Sequence, residues 1–259
     1  GYLANGAEPW LLPDVTTLPT IDPAFATGPN HVEADGAETF QPYKRDPASL
    51  ARPWAVPGTP GLMHRVGGIE KADGSGNISY DPRNHEKMVH LRADKVAGIA
   101  RDYPATEVDG DDDAAVLVLG WGSTWGAIGA AVKQLRADGH KVARCHLTHL
   151  FPLPADLGDV LRRFERVLVP EMNLGQLSRL VRAEYLVDAT AISKVQGLPF
   201  TGGEIEAHLI DALTALEPAG AVGEALSRTH ARLATTPAPP AGVTLAVAGG
   251  NEADEEEEA

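Results

Sequence analysis

The sequence contains a single cysteine, Cys145, among its 259 residues. One thiol cannot form an internal disulfide, and it cannot by itself supply the cysteine ligands of a zinc or iron–sulfur site. No stretch approaches the ~18–20 apolar residues that a membrane-spanning helix needs. The first residues also lack the basic start and apolar run of a signal peptide. These absences predict a soluble protein that does not bind a membrane.

Basic residues are scarce relative to acidic ones. The chain has 22 Lys and Arg against 36 Asp and Glu, which gives a formal net charge of −14. Such a surface repels nucleic acid, and no basic stripe with interleaved aromatic residues is present. We therefore expect no nucleic-acid partner. Residues 217–259 are rich in alanine, proline and acid, which predicts a disordered, solvated tail rather than a docking segment for a basic partner.

Regular periodicity is missing from residues 1–62, which hold half of the chain's 20 prolines. Proline removes backbone donors and restricts both helices and strands. A structureless run of this length is unusual inside a compact protein. We expect an irregular segment that lies on surfaces supplied by other parts of the chain or by another subunit.

Residues 63–113 predict a hairpin followed by a helix. The stretch HRVGGIEKADGSGNISYD indicates two short strands joined at residues 73–76. Asp81 is expected to cap a helix that has Pro82 at its first position. The loop EVDGDDD at 107–113 then marks a domain boundary. The helix presents an apolar face made of Met88, Leu91, Val96 and Ile99.

Apolar strands and helices alternate from residue 114 to residue 216. The predicted strands are AAVLVLG, KVARCHL, RVLVPE and TAISKVQ, with helices near 124–137, 156–164 and 175–186 between them. Thr201 and Glu204 form a capping box that opens a last helix. Continuously apolar strands separated by helices predict an α/β fold, with a mostly parallel sheet covered by helices on both faces.

The glycine-rich turn after the first of these strands resembles a dinucleotide-binding fingerprint only in part. Gly120 and Gly122 have the right spacing, but Trp125 occupies the position of the third glycine, where an indole should obstruct close approach of helix and strand. The next strand ends in Cys145 and His146 rather than in an acid. We interpret the turn as a tight strand-to-helix connection without a bound nucleotide.

No complete active site is present in the sequence. His140, His146 and His149 lie close together, but no acids accompany them, and successive strand residues face opposite ways. We interpret them as structural or surface histidines and expect no metal ligands. Nucleophile elbow, Walker loop and zinc-protease motifs are missing. Residues 109–111, Asp-Gly-Asp, have the wrong order for the diphosphate-binding motif of thiamine enzymes. We predict no catalytic residue.

Four stretches nevertheless resemble a known family, in the family's own order. They are residues 1–14, 60–95, 149–154 and 169–185, and the segment EMNLGQ within the last is the most specific. The chain resembles the α subunits of 2-oxoacid:ferredoxin oxidoreductases over residues 1 to about 216, and within them the 2-oxoglutarate type. Family members are longer upstream, so the resemblance is to a C-terminal portion that follows a pyrimidine-binding domain absent here. Residues 114–216 would be a transketolase C-terminal-like domain.

The resemblance implies an oxidoreductase within a larger assembly. Such enzymes convert 2-oxoglutarate, coenzyme A and oxidised ferredoxin into succinyl-CoA, CO2 and reduced ferredoxin, with thiamine diphosphate as the electron sink. It further implies a cytoplasmic αβ heterotetramer whose β subunit holds the diphosphate, Mg2+ and a [4Fe-4S] cluster. The partners would be that β subunit, the remainder of the α polypeptide and ferredoxin. This chain would supply scaffold and subunit interface and would be inactive alone.

Two alternatives remain open. A related enzyme could use pyruvate or a branched-chain 2-oxoacid, and the α/β sheet could also belong to a non-catalytic dimerisation module. Substrate-proximal candidates are few. Tyr2 and Asn5 would follow a strand end of the inferred pyrimidine domain. His64 and Arg65 could attract a dianionic oxoacid, although a structural salt bridge or a subunit contact is the favoured explanation.

Three polar residues lie where the third strand meets its helix. Glu171, Asn173 and Gln176 occupy the carboxyl end of that strand, where ligands of open α/β sheets gather. Side chains of this kind at a helix start usually bond to backbone amides. We therefore expect these three residues to serve capping and interface hydrogen bonds rather than chemistry.

Overall fold

The computed structural model describes residues 14–18, 20–217 and 223–235. Its strands are β1 (His31–Val32), β2 (Glu38–Thr39), β3 (Val108–Asp109), β4 (Val116–Trp121), β5 (Val142–Leu147), β6 (Arg166–Glu171) and β7 (Ala189–Ser193). Its α-helices are α1 (Pro82–Gly98), α2 (Trp125–Ala137), α3 (Leu157–Leu161), α4 (Gln176–Tyr185), α5 (Gly202–Leu216) and α6 (Glu224–Thr235). None of these helices is long and apolar enough to cross a bilayer.

The principal sheet has the strand order β3-β5-β4-β6-β7. Strands β4 to β7 run parallel, and β4 is paired on both sides. Helices cover both faces of the sheet, so residues 116–120 of β4 are buried. Val116 and Val118 pack against α2 and α5, whereas Leu117 and Leu119 face α3 and α4. This alternation follows from the two-residue repeat of a strand. The predicted α/β class with helices on both faces is confirmed.

The sequence does not predict strand β3, since its pattern over residues 107–113 indicates a boundary loop. It pairs antiparallel with β5 at the sheet edge. The Asp109 carboxylate accepts hydrogen bonds from Arg136 at 2.8 Å and Arg144 at 2.7 Å. These bonds hold the pKa of Asp109 below its usual value. The strand depends on two distant cations, which no local pattern reveals.

Helix α6 corrects the prediction that nothing packs beyond residue 217. Leu226 is buried in the core formed with α2 and α5. Thr229 bonds to His140 at 2.9 Å, and Arg232 forms an ion pair with Asp138 at 2.8 Å. The alanine-rich composition concealed an amphipathic helix that the α/β core anchors. Residues 236–259, which include the acidic end of the sequence, lie outside the described part of the chain.

The region before the sheet is mostly irregular. The predicted hairpin is present as a narrow turn, with Ala72 N bonded to Asn77 O at 2.7 Å and Ser79 N to Glu70 O at 3.0 Å. It forms isolated bridges rather than two strands, because glycines occupy the turn.

Helix α1 begins at Pro82 as predicted, and the Asp81 carboxylate accepts from Arg83 N at 3.0 Å. Of its predicted apolar face only Met88 is buried. Leu91 and Val96 are half-buried and Ile99 is exposed, so much of that face is not covered by the described residues.

Candidate functional site

Glu171 closes strand β6 and is fully buried, at 0% exposure. Its two carboxylate oxygens accept hydrogen bonds from Leu177 N at 2.8 Å and Ser178 N at 2.9 Å. Both amides belong to the first turn of α4, where unpaired donors and the positive end of the helix dipole stabilise a negative charge. The carboxylate is therefore committed to joining β6 to α4.

Asn173 organises the loop between that strand and helix. Its side-chain oxygen accepts from Gly175 N at 2.8 Å and Gln176 N at 2.9 Å. Gly175 has φ of 83°, and a Cβ there would lie 3.1 Å from the Ala191 Cβ, so a larger residue would be strained. The Gln176 side chain forms no hydrogen bond with any described residue, so its interface role stays a prediction. Leu174 projects from the loop, 71% exposed.

The turn from β4 to α2 is held closed by its own residues. The Thr124 hydroxyl accepts from Trp121 N at 3.2 Å and donates to Trp121 O at 2.9 Å. Gly120 faces α2 so closely that a Cβ would lie 2.4 Å from Ile128 Cδ1. The Trp121 amide, which a phosphate-binding loop would offer to an anion, thus already donates to the Thr124 hydroxyl.

Trp125 does not separate helix from strand as the sequence suggested. Its indole lies beneath the Arg144 guanidinium, 4.5 Å from ring centroid to guanidinium carbon, and against the edge of His146 at 5.0 Å. The ring therefore covers one face of β5 at Arg144 and His146. The prediction of an obstructed approach at this position is wrong, because Ile128 of α2 still packs closely on Gly120 of β4 while the indole contacts β5.

The three histidines have different surroundings. His146 is half-buried, and its Nδ1 has no hydrogen-bond partner among the described residues. Burial, with Arg144 nearby, lowers its pKa and favours the neutral ring. His149 stacks on Tyr103 at 4.0 Å, and His140 is buried against α6. Within the described ranges, no three His, Cys, Asp or Glu side chains are grouped to hold a metal ion.

His64 and Arg65 lie before the hairpin rather than at the strand ends. The His64 Nδ1 is 2.8 Å from Leu62 O, and its ring meets Phe40 edge-on at 5.3 Å. Arg65 is exposed and forms no ion pair with a described residue. His64 is therefore anchored to its own segment, while Arg65 is available to a ligand or partner. Tyr2 and Asn5 lie outside the described residues.

Comparisons with known proteins agree with this architecture. Residues 114–208 match the family model of the pyruvate:ferredoxin oxidoreductase core domain II. The 2-oxoglutarate oxidoreductase subunit KorA of Mycobacterium tuberculosis is 51% identical over 206 residues, which are 79% of this chain and 30% of that protein. The α subunit of 2-oxoacid:ferredoxin oxidoreductase 1 of Aeropyrum pernix is 36% identical over 152 residues, which are 56% of this chain and 23% of that protein.

A solved structure is similar as well. The 2-oxoglutarate:ferredoxin oxidoreductase from Magnetococcus marinus, determined with 2-oxoglutarate, coenzyme A and succinyl-CoA bound, superposes with a TM-score of 0.62 and 34% identity. The similarity covers 70% of this chain and 32% of that one. The chain thus spans about a third or less of the length of these three proteins. Its residues 114–208 thus correspond to the pyruvate:ferredoxin oxidoreductase core domain II, and the chain is similar to α subunits of 2-oxoacid:ferredoxin oxidoreductases.

Proposed function

We propose that this chain is part of the α subunit of a 2-oxoglutarate:ferredoxin oxidoreductase. The enzyme would convert 2-oxoglutarate, coenzyme A and oxidised ferredoxin into succinyl-CoA, CO2 and reduced ferredoxin. The observation that carries this proposal is the 51% identity with the Mycobacterium tuberculosis 2-oxoglutarate oxidoreductase subunit over 206 residues. The Magnetococcus marinus relative supports the same substrate and the same acyl acceptor.

The role proposed for the chain is scaffold and subunit interface. The buried Glu171 carboxylate at the end of β6 caps helix α4. Large apolar side chains stand in solvent, among them Met63 at 92%, Tyr80 at 85% and Val66 at 78% exposure. Large apolar side chains exposed in this number are typical of a surface that another protein covers. The occupants we propose are the β subunit and the upstream part of the α polypeptide.

The donor groups of this chain do not fit the cofactors of such an enzyme. A [4Fe-4S] cluster needs four thiolates, whereas the sequence has one cysteine. Burial raises the pKa of Cys145 to about 12, so its thiol stays neutral. The described residues also offer no acidic cluster for Mg2+. We therefore assign thiamine diphosphate, Mg2+ and the cluster to the β subunit and to upstream α residues.

Turnover by the assembled enzyme tests this function. We expect 2-oxoglutarate to be used with kcat/KM at least about 100-fold above pyruvate and branched-chain oxoacids, since a site that pairs the distal carboxylate rejects substrates without it. Faster turnover of pyruvate or a branched-chain oxoacid would assign the chain to the related enzyme. A stable homodimer without the iron–sulfur absorbance near ~400 nm would instead favour the dimerisation module.

Arg65 carries the proposed contribution to substrate attraction. In the assembled enzyme, Arg65→Ala should raise the KM for 2-oxoglutarate by about tenfold, because a charge-assisted contact to a carboxylate is lost. His64→Ala should also raise the KM for 2-oxoglutarate, by a smaller factor. Arg83→Ala is the matched control, since Arg83 is an exposed arginine of the same region. An unchanged KM in both test variants would refute the substrate role of this pair.

A further inference from the structure

Positive charge converges on a single cleft next to the hairpin. The cleft has a volume of about 500 Å³. Five cations line it, against one carboxylate, that of Glu70. This concentration contrasts with the chain's formal net charge of −14. The cations of this cationic cleft are Arg45, Arg52, Lys71, Arg92 and Lys95.

The carboxylates of the described residues neutralise these cations only in part, since Glu70 and Asp73 are each shared with another basic side chain. Glu70 is already engaged by His85 Nδ1 at 2.7 Å and by Arg92 at 3.4 Å. Arg52 and Lys95 have no carboxylate within ion-pair distance in the described part of the chain. Exposed cations of this kind cost little on their own, but their grouping raises the local positive potential.

Lys71 is the most informative member of the cleft. It is 4% exposed, yet its ammonium group bonds only to the carbonyl oxygens of Gly67 at 2.5 Å and Ile69 at 2.7 Å. An ammonium has three donors, and no carboxylate among the described residues faces this one. Burying a charge without a counter-ion is costly, so an anion in the cleft would stabilise the arrangement.

Arg45 and Arg52 are held in position before any ligand arrives. Both guanidinium groups lie over the Tyr43 ring, at 5.5 Å and 4.4 Å from its centroid. Arg45 also lies 3.6 Å from Asp73, which is itself paired with Lys87. Burial lowers the pKa of Arg45, and repulsion from Arg52 and Arg92 adds to that effect. A bound anion would relieve this repulsion.

We propose that the cationic cleft binds a ligand that carries two or more phosphate groups. Guanidinium forks match phosphate oxygens in pairs, and five cations exceed what one carboxylate or one phosphate can neutralise. Gly67 and Gly68, with φ of 63° and 88°, form a wall without side chains, against which a bulky anion can approach the backbone. The volume lies within the usual range of small-ligand sites.

Calorimetry with the full chain at low salt tests this proposal directly. Inorganic pyrophosphate, ADP and coenzyme A are the probes, and succinate is the dicarboxylate control. We expect at least one of the three phosphorylated probes to bind at least tenfold more tightly than succinate, with affinity that falls as salt rises. Equal binding of pyrophosphate, ADP and coenzyme A would identify the diphosphate as the recognised group, and a preference for coenzyme A would identify the phosphorylated co-substrate. Because binding is measured without turnover, the result does not depend on the proposed reaction.

Two exposed members of the cleft provide the variant. Arg52→Gln with Lys95→Gln should weaken binding of the phosphorylated probes by about 100-fold, since two charge-assisted contacts are lost. Arg83→Gln, which removes an exposed cation outside the cleft, should leave binding unchanged. Absence of binding by all three probes, or equal binding by the double variant, would overturn the proposal. The proposal would also be overturned if the cleft bound the peptide NEADEEEEA, the sequence of residues 251–259, and none of the phosphorylated probes.

Discussion

Two regions of the molecule achieve order in different ways. From Val108 to Thr235 the chain buries two continuous apolar clusters, one on each face of the sheet. Residues 20–106 bury only Phe40, Leu62 and Met88 among their large apolar side chains, and expose many others. The α/β part therefore buries most of its own large apolar side chains, whereas the first region leaves most of its own exposed to solvent.

Local polar bonds take the place of a core in the first region. Asn30 and Gln41 exchange two hydrogen bonds, at 2.7 and 3.1 Å. Asp46 accepts from the amides of Ala48 and Ser49. Bonds of this kind contribute about 0.5–1.5 kcal/mol each in net terms, so they shape the chain without making it strongly stable. The region is therefore suited to folding fully against a partner.

The largest effect should follow from damage to the α/β core. Leu119 is 0% exposed, and Leu119→Ala should lower the free energy of unfolding by about 3–4 kcal/mol through lost burial and a residual cavity. Chemical denaturation measures this change. Met63→Ala in the other region is the matched control, because that side chain is 92% exposed. A loss below about 1 kcal/mol for Leu119→Ala would contradict the compactness of this core.

Removal of the buried Glu171 carboxylate should have the next largest effect on the free energy of unfolding. Glu171→Ala should cost about 2–3 kcal/mol, since two buried amides of α4 would lose their acceptors. The melting temperature of the full chain gives the readout. Glu184→Ala, on the exposed side of the same helix, should have almost no effect. Equal melting of both variants would show that the cap does not stabilise the β6–α4 junction.

Local features of this fold can be predicted from the sequence, whereas features that depend on distant residues cannot. The caps at Asp81 and Thr201 were predictable because each involves neighbours within three residues. Strand β3 depends on Asp109 meeting Arg136 and Arg144, which no local pattern encodes.

The cationic cleft was missed for the same reason. Arg45 and Arg92 lie far apart in sequence, and only the fold brings them to one cleft. The only local indication of the cleft in the sequence is that Arg45 and Arg52 lie close to Tyr43. These residues belong to the proline-rich segment 1–62, for which the sequence predicts an irregular structure.

Assembly should be sensitive to the exposed apolar patch of the first region. Met63→Asp should weaken association with the β subunit by about 10- to 100-fold, because a charge would replace an apolar contact in the proposed interface. Size-exclusion chromatography or surface plasmon resonance reports the association. Ser227→Asp, on the exposed side of α6, adds the same charge elsewhere as a control. Unimpaired assembly of Met63→Asp would place the interface on another face.

The smallest expected effect concerns pH. Burial lowers the pKa of His140 below its ordinary value of 6.5, so the unfolded chain binds the proton more readily. The stabilisation from the neutral ring is present above pH 6.5 and is lost as the pH falls through the lower folded-state pKa. His140→Gln should therefore flatten the decline of stability between pH 7 and about pH 5. An unchanged pH profile would show that another group controls acid sensitivity.

We infer that this chain supplies structure to a reaction whose reacting groups lie on its partners. The most direct test compares 2-oxoglutarate-dependent reduction of ferredoxin by the purified chain alone and by the chain assembled with the complete α and β polypeptides. We predict no turnover by the chain alone and turnover that requires coenzyme A in the assembly. Oxoacid oxidation by the isolated chain would contradict the account.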